Sequence, residues 1–369
     1  MRYRAGEKPD FHEIPLTPKK LVLEQTELFH SSFLPPGSGE VIFHYTSGST
    51  GTPMQVRTTD QENLLNGKEN ARLRRGWGVK SHRKIAQILF PDEDRPVGWR
   101  KVVTLPSGKK AWLLSTLDAD EALDWIRQCG STLVHAFPSI MLGVLQRGFE
   151  KSQDLPIQLI GTVSEVVSDE LRELVRKIPG CRLMDHYGSE EGGLMAVQCP
   201  VCDAYHPGEK LMRLEILTDN GAPAKPGEMG RVVISPLFNY AMPLVRYETG
   251  DYAVAGEPGR CKRSDQSITR IIGRESGLFK LPGGGKVAAM LPSDVVSSLN
   301  VKQYKLFQTS LTDVELQYIP RSDTAMIKNS QAQAIVDRYI SPEFKVRCLR
   351  VSEIPRLPNG KYLMHECLI

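Results

Sequence analysis

The chain has 369 residues, of which 40% are apolar and 24% charged, and a net charge of +4. These are the proportions of a soluble globular protein too long for one ordinary core. The charge is dispersed and no window approaches the ~18 consecutive apolar residues of a membrane helix, so neither nucleic acid nor a bilayer is an expected partner. Seven cysteines, an odd number, and an N-terminus without an apolar signal core lead us to expect a reducing, cytoplasmic setting.

Residues 1–39 read as irregular, with prolines at 9, 15, 18, 35 and 36 and one helical patch over Lys19–His30. Two short apolar stretches, 40–43 and 54–57, read as strands flanking a Ser/Thr/Gly turn, with no obvious helix after the turn. The basic run Arg72, Arg74, Arg75, Lys80, Arg83, Lys84 reads as a solvated helix face. Strand and helix then alternate: strand 85–90, helix 119–129, strand 133–137, helix 140–150, strand 157–160, helix 169–177 capped by Ser168, and strand 182–186. That alternation predicts crossover units and a largely parallel sheet over 40–192. Over 193–274 short strands with Gly/Pro turns predict a β-rich subdomain. Residues 275–369 predict a small, mobile α+β domain, with Gly283-Gly284-Gly285 as a hinge. The fold class is therefore α/β: a large N-terminal part with mixed, mostly parallel sheets and a β-rich subdomain, followed by a small α+β domain.

Five stretches carry chemistry. Thr46, Ser47, Gly48, Ser49, Thr50 and Gly51 offer hydroxyls and close-approaching backbone N–H groups, the composition of a phosphate cradle and also of a plain hairpin turn. No Gly-Lys-Ser/Thr ends it, so it is not the nucleotide-kinase type. Residues Asp185 to Gly193 end a predicted parallel strand, where open α/β sheets bind ligands. Tyr187 offers a flat face there, and Glu190 and Glu191 offer carboxylates of the kind that hold Mg²⁺; an exposed acidic turn has the same composition. Asp251, after the Gly250 turn, can accept both ribose hydroxyls or simply close an Asx turn. Gly273-Arg274 opens the linker to the small domain, and Pro355 to Lys361 presents a lysine on a loop tip.

These stretches, in this order, resemble the adenylate-forming superfamily of acyl-CoA synthetases, aryl-acid ligases and luciferases, and within it the phenylacetate–CoA-ligase branch. The resemblance runs from about residue 40 to the end, and the stretch from Gly227 to Val233 also resembles the family's Gly-Glu turn before a strand. It implies that Thr46 to Gly51 hold the β- and γ-phosphates of ATP. It puts Tyr187 beside adenine with His186 and Gly188, and the Ser164-Glu165-Val166 turn flanking it. Asp251 and Arg274 would take the ribose, Glu191 would hold Mg²⁺, and Lys361 would reach the reacting carboxylate and α-phosphate. The implied reaction is adenylation of a carboxylic acid, aromatic and in particular a phenazine carboxylic acid such as griseoluteic acid, with release of pyrophosphate. The acyl group would pass to a thiol or be reduced, in secondary-metabolite biosynthesis. Such chemistry brings two anions together, so a lysine, Mg²⁺ and a ring of N–H donors form a suitable set.

Three departures bear on the acceptor. Met54 stands where much of the superfamily has lysine. Glu275-Ser276-Gly277 stand where the family has its acidic hinge residue, and the segment ahead of the phosphate loop is shorter than in full-length members. Both of the latter count against CoA as acceptor and lead us to expect a partner, a reductase or a carrier protein; a homodimer is compatible with the sequence. The family lines its acyl pocket with the segment carrying His135, Phe137 and Ser139, residues that equally suit a strand and helix core. Cys199, Cys202 and His206 form a CxxC knuckle with a nearby third ligand, and Cys261 is the expected fourth of a structural Cys₃His zinc set. A redox pair or two buried thiols are the alternatives; members of the phenylacetate branch carry zinc-type cysteines here. Cys129, Cys181, Cys348 and Cys367 read as ordinary thiols. Against the enzyme reading stand a non-catalytic nucleotide- and zinc-binding scaffold, a full acyl-CoA ligase of aromatic-acid catabolism, and a phosphotransferase using the Ser/Thr/Gly loop.

Overall fold

The structure is a computed structural model that describes residues 10–46, 53–79, 84–105, 108–152, 154–259, 261–262, 266–322 and 326–369. The chain divides into two compact units, one from Met1–Arg75 and Tyr187–Ile272, the other from Gly76–His186 and Gly273–Ile369.

In the first unit, strands Val41–Tyr45 and Gln55–Thr59 pair antiparallel and bring Tyr45 opposite Gln55. A 14-residue helix, Asp60–Leu73, follows at once, where the sequence reading had none. Its buried positions are Glu62, Glu69 and Leu73, so it lacks the apolar stripe that marks most helices. Its start is nevertheless written in Thr59 and Glu62: the Thr59 Oγ1 accepts the Glu62 N–H at 3.2 Å, half of a capping box. The rest of this unit is antiparallel: Met212–Leu217 pairs with Met229–Pro236, which pairs with Tyr247–Ala255, while Tyr205–Pro207 lies between Gly193–Gln198 and Ile268–Arg274. Val56, Met195, Tyr205, Val232, Ile234 and Tyr247 pack its core. Met54 is 1% exposed in that core, so an apolar residue suits the position where much of the superfamily carries lysine.

The second unit contains the parallel sheet that the alternating pattern predicts. Lys84–Leu89 pairs parallel with Lys110–Ser115 on one side and Leu133–Ala136 on the other; Leu159–Val163 and then Arg182–Ser189 continue the order. Arg100–Thr104 closes the far edge antiparallel. Helices Ala119–Cys129, Pro138–Glu150 and Asp169–Arg176 supply the crossovers, the first entered through Asp118, whose carboxylate accepts the N–H groups of Asp120 and Glu121, and the third through Ser168. The C-terminal stretch of the unit builds a four-stranded sheet in the order Lys345–Arg350, Asp313–Pro320, Val301–Gln308, His365–Cys367, with its own apolar core around Phe279, Leu306, Leu316 and Phe344. Gly283 to Gly285 close the short hairpin between Phe279–Lys280 and Lys286–Val287, so they form a turn and not the expected hinge. Among the described residues, no helix is long and apolar enough to cross a membrane.

Candidate active site and metal centre

The first unit holds the loop base, the acidic strand end and the cysteine cluster. Thr46 fixes the base of the predicted phosphate loop: its N–H donates to the Met54 carbonyl at 2.9 Å and its Oγ1 accepts the Met54 N–H at 2.8 Å. Ser47, Gly48, Ser49, Thr50 and Gly51, the rest of that expected cradle, lie outside the described residues. Tyr187, buried at the end of its strand, donates its hydroxyl to Asp251 Oδ2 at 2.8 Å. Asp251 is itself buried, and its N–H donates to Thr249 Oγ1 at 3.1 Å. The predicted adenine and ribose residues Tyr187 and Asp251 are thus neighbours, with Gly188 next along the strand.

Glu191 is 3% exposed, and its Oε1 accepts both the Lys19 ammonium at 3.0 Å and the Tyr247 hydroxyl at 2.8 Å. Lys19 also donates to the Thr249 carbonyl at 3.2 Å. Burial raises the proton affinity of Glu191, but the Lys19 charge, with backbone and hydroxyl donors, more than offsets it and leaves the carboxyl below its ordinary value. An ionised carboxylate oxygen fits Mg²⁺, which takes one or two protein carboxylates and completes its shell with phosphate and water. Glu190, by contrast, is exposed and lies 4.0 Å from His44 Nδ1. The sequence reading gives Lys19 no role beyond opening the helical patch, which the structure forms as a helix over Lys19–Glu24; its partner lies 172 residues away, and no local pattern marks the pairing.

Cys199, Cys202, His206 and Cys261 converge, with all four ligand atoms within 4.8 Å of one another. The Sγ atoms of Cys199 and Cys261 are 3.8 Å apart, and His206 Nε2 is 3.0 Å from Cys261 Sγ and 3.3 Å from Cys202 Sγ. Two sulfurs on a tetrahedral zinc at ~2.3 Å would be about 3.8 Å apart. His206 Nδ1 lies 3.0 Å from the Gln266 carbonyl, the kind of outer partner that turns the other ring nitrogen toward a metal. The cluster is a candidate metal site.

In the second unit, three predicted elements meet at the carboxyl ends of parallel strands. Strand Leu133–Ala136 runs through Phe137 into the helix that Pro138 begins, so Ser139 stands in its first turn. Strand Leu159–Val163 runs into the Ser164-Glu165-Val166 turn, where Ser164 holds a left-handed backbone at φ 74°. Glu165 Oε2 accepts the Ser139 N–H at 2.8 Å and Oε1 accepts the Ser139 hydroxyl at 3.0 Å. The Lys361 loop joins this pair: the Tyr362 N–H donates to Glu165 Oε1 at 2.7 Å, and Arg356 Nη1 donates to Ser139 Oγ at 2.6 Å and to the Gly360 carbonyl at 3.1 Å. Gly360 has φ 80°, and a Cβ there would lie 2.1 Å from Phe90 Cγ, so only glycine lets the loop tip approach the end of strand Lys84–Leu89. Lys361 itself is half-buried, its N–H donating to Asn359 Oδ1 at 3.2 Å.

Arg274 ends strand Ile268–Arg274, and its neighbour Gly273, at φ 106°, leaves only 3.1 Å between a would-be Cβ and Val166 Cγ2. The ribose candidate Arg274 therefore adjoins the Ser164–Val166 turn. His186 Nδ1 lies 2.8 Å from the Thr162 carbonyl, and its ring centroid is 5.8 Å from that of His135. Of the expected acyl-pocket residues, His135 sits beside His186, Phe137 packs against the sheet core, and Ser139 is engaged by Glu165 and Arg356. Ser139, Glu165, Val166, Tyr304, Tyr362 and Met364 line an open cleft. Arg356 and Tyr362 had no role in the sequence reading, although both flank the predicted lysine.

The description "AMP-binding enzyme" belongs to a family model that matches residues 23–260. Among solved structures, the chain is similar to a 2-hydroxyisobutyryl-CoA ligase in the postadenylation state in complex with R3-HIB-AMP, with 14% identity and a TM-score of 0.69, over 95% of this chain and 79% of that one. An anthranilate CoA ligase in complex with anthranoyl-AMP shows 18% identity and a TM-score of 0.62, over 88% and 66%. ATP-bound MatB from Rhodopseudomonas palustris shows 16% identity and a TM-score of 0.63, over 89% and 68%. Identities this low speak for the fold alone, and no curated protein matches the chain. The family model covers more than half of the 369 residues: the chain belongs to the AMP-binding enzyme family and is an acyl-adenylate-forming ligase.

Proposed function

We propose that the protein activates an aromatic carboxylic acid with ATP, forming an acyl-adenylate and pyrophosphate, and hands the acyl group to a thiol acceptor or a reductase. A carboxylate oxygen attacks the α-phosphorus, the bond to the β-phosphate breaks, and pyrophosphate leaves. The observation that carries this reading is the seat of the Lys361 loop in the second unit, against Ser139, Glu165 and Phe90, at the carboxyl ends of three parallel strands. That is where open α/β sheets bind their ligands, and a lysine there can neutralise charge building up between carboxylate and phosphate. Tyr187, Asp251 and Arg274 are the proposed adenosine contacts, with His186 and Gly188 beside them, and Thr46 to Gly51 the proposed phosphate loop. Glu191 would hold Mg²⁺, which offsets phosphate charge when bound. His135 and Phe137 are the proposed acyl contacts.

The aromatic acid, and a phenazine carboxylic acid as its specific candidate, follows from the sequence resemblance. The structural neighbours include both an aryl and an aliphatic acid ligase. Several of those neighbours are CoA ligases, one captured with CoA in a thioesterification state, which supports a thiol as acceptor. For the cysteine cluster we propose one structural Zn²⁺: four protein ligands leave no open position, and the sulfur spacing suits a tetrahedral site better than a redox pair, which needs only two thiols.

Exchange of labelled pyrophosphate into ATP, screened over aryl and aliphatic acids, tests the reaction. Exchange should depend on the acid, and Lys361→Ala should abolish it while ATP still binds. ATP binding without exchange under any acid would favour a non-catalytic scaffold, and release of ADP would favour phosphotransfer.

A further inference from the structure

We propose that Glu165 is a positioning residue for adenylation: its carboxylate fastens the Lys361 loop in the pose that presents the lysine. This inference rests on the adenylation reading above and gives Glu165 a different task from flanking adenine. Among the described residues, every polar contact of the carboxylate goes either to the strand-end helix or to the loop. On the helix side, the Ser139 N–H and hydroxyl hold both oxygens at 2.8 and 3.0 Å, in the first turn, where the helix dipole favours a negative charge. On the loop side, the Tyr362 N–H, one residue past Lys361, donates at 2.7 Å, and the Arg356 guanidinium lies 3.6 Å away.

The side chains are well withdrawn from water, 3% exposed for Glu165 and 16% for Arg356, so both charges have been desolvated to make this contact. Arg356 adds a second tie by bonding Ser139 Oγ and the Gly360 carbonyl at once. The Tyr362 hydroxyl anchors the far side of the loop on the Tyr304 carbonyl. Lys361 is thus bracketed by two fastened neighbours, Gly360 and Tyr362. Ser164, immediately before Glu165, holds φ 74°, a conformation that residues other than glycine rarely adopt. Its neighbour's carboxylate Oε1 takes the Ser139 hydroxyl and the Tyr362 N–H together, so one oxygen ties the strand end directly to the loop.

The test compares Glu165→Ala and Glu165→Gln with wild type and with Lys361→Ala, measuring acid-dependent pyrophosphate exchange, ATP affinity, and amide hydrogen exchange over residues 355–362. We expect Glu165→Ala to lower kcat of exchange by tenfold or more with KM for ATP changed less than threefold, and to deprotect the 355–362 amides. Glu165→Gln, which keeps an acceptor for the Tyr362 N–H, should retain much of both. In a Lys361→Ala background, where no exchange is left to read, Glu165→Ala should still deprotect the 355–362 amides and leave ATP affinity as it is in Lys361→Ala alone. A rise in KM for ATP with kcat preserved, or unchanged protection of residues 355–362 in either background, would overturn the proposal. If wild type showed no acid-dependent exchange, the adenylation reading would fall, and amide exchange alone would still decide whether Glu165 fastens the loop.

Discussion

Glu62 provides a test of the fold that does not depend on any substrate. It occupies the first turn of helix Asp60–Leu73, 6% exposed, and its Oε2 is buried without a hydrogen-bond partner. Burial pushes its carboxyl from 4.5 up to about 7, against a smaller lowering by the Thr59 backbone. A carboxyl raised in this way favours folding fully below 4.5 and loses that contribution as pH climbs through about 7, because the folded chain must then hold an unpaired buried charge. The gap, at ~1.4 kcal/mol per pH unit, corresponds to about 3 kcal/mol. Glu62→Gln keeps the shape and the capping acceptor but carries no charge. It should match wild type in urea unfolding at pH 4 and exceed it by about 3 kcal/mol at pH 8.5, most of the gain arising between about pH 4.5 and 7.5. A difference that did not vary with pH would refute the claim that Glu62 titrates in the fold, and with it the description of this helix start as tightly buried.

Two further outcomes follow from buried charge and from the metal site. Lys19→Met leaves the Glu191 carboxylate buried without its ammonium, and breaking such a pair costs about 3 kcal/mol. Because Glu191 titrates below its ordinary value in the folded chain, the loss should be largest at neutral pH and shrink as pH falls below about 4.5 in urea unfolding, where Glu191 protonates. Elemental analysis of purified protein should find about one zinc per chain, and Cys202→Ser or a strong chelator should remove it and lower the unfolding midpoint. Well under one zinc per chain would exclude the Cys₃His centre.

Much of the architecture was legible because periodicity and punctuation agree. Helix Ala119–Cys129 has Asp118 at its start and left-handed Gly130 at its end, and both ends are where the sequence puts them. Helix Asp60–Leu73 was missed because its inward face is glutamates, for which a search for apolar stripes has no signal; the Thr59–Glu62 cap alone could have revealed it. The edge strand Arg100–Thr104 was missed for a related reason: it lies exposed, so its residues need not alternate; Lys110–Ser115, an inner strand, was missed although its apolar run from Ala111 to Leu114 is visible in the sequence. The site divides along the same line. Tyr187, Asp251, Glu191 and the cysteines sit in recognisable local patterns, and within their unit Tyr187 meets Asp251 and the four candidate metal ligands converge. Lys19 and Arg356 act through partners 172 and 217 residues away, and contacts of that span leave no mark on a single sequence.

The two buried glutamates show why burial by itself assigns no role. Glu191 and Glu165 are each hidden from water and each accept several donors, yet their proton affinities move in opposite directions. A lysine 3.0 Å from Glu191 outweighs desolvation and fixes it as an anion. For Glu165, burial comes first and pushes the carboxyl up, against neutral donors and a guanidinium at the longer distance of 3.6 Å. An anion locked below its ordinary value suits a hard cation, which needs a ligand that never takes a proton. Glu165, its carboxyl pushed up by burial, spends its oxygens on Ser139 and on the Tyr362 N–H, and so ties the strand-end helix to the loop. Charge state thus separates the two residues into a metal candidate and a loop fastener where exposure and residue type would have made them alike.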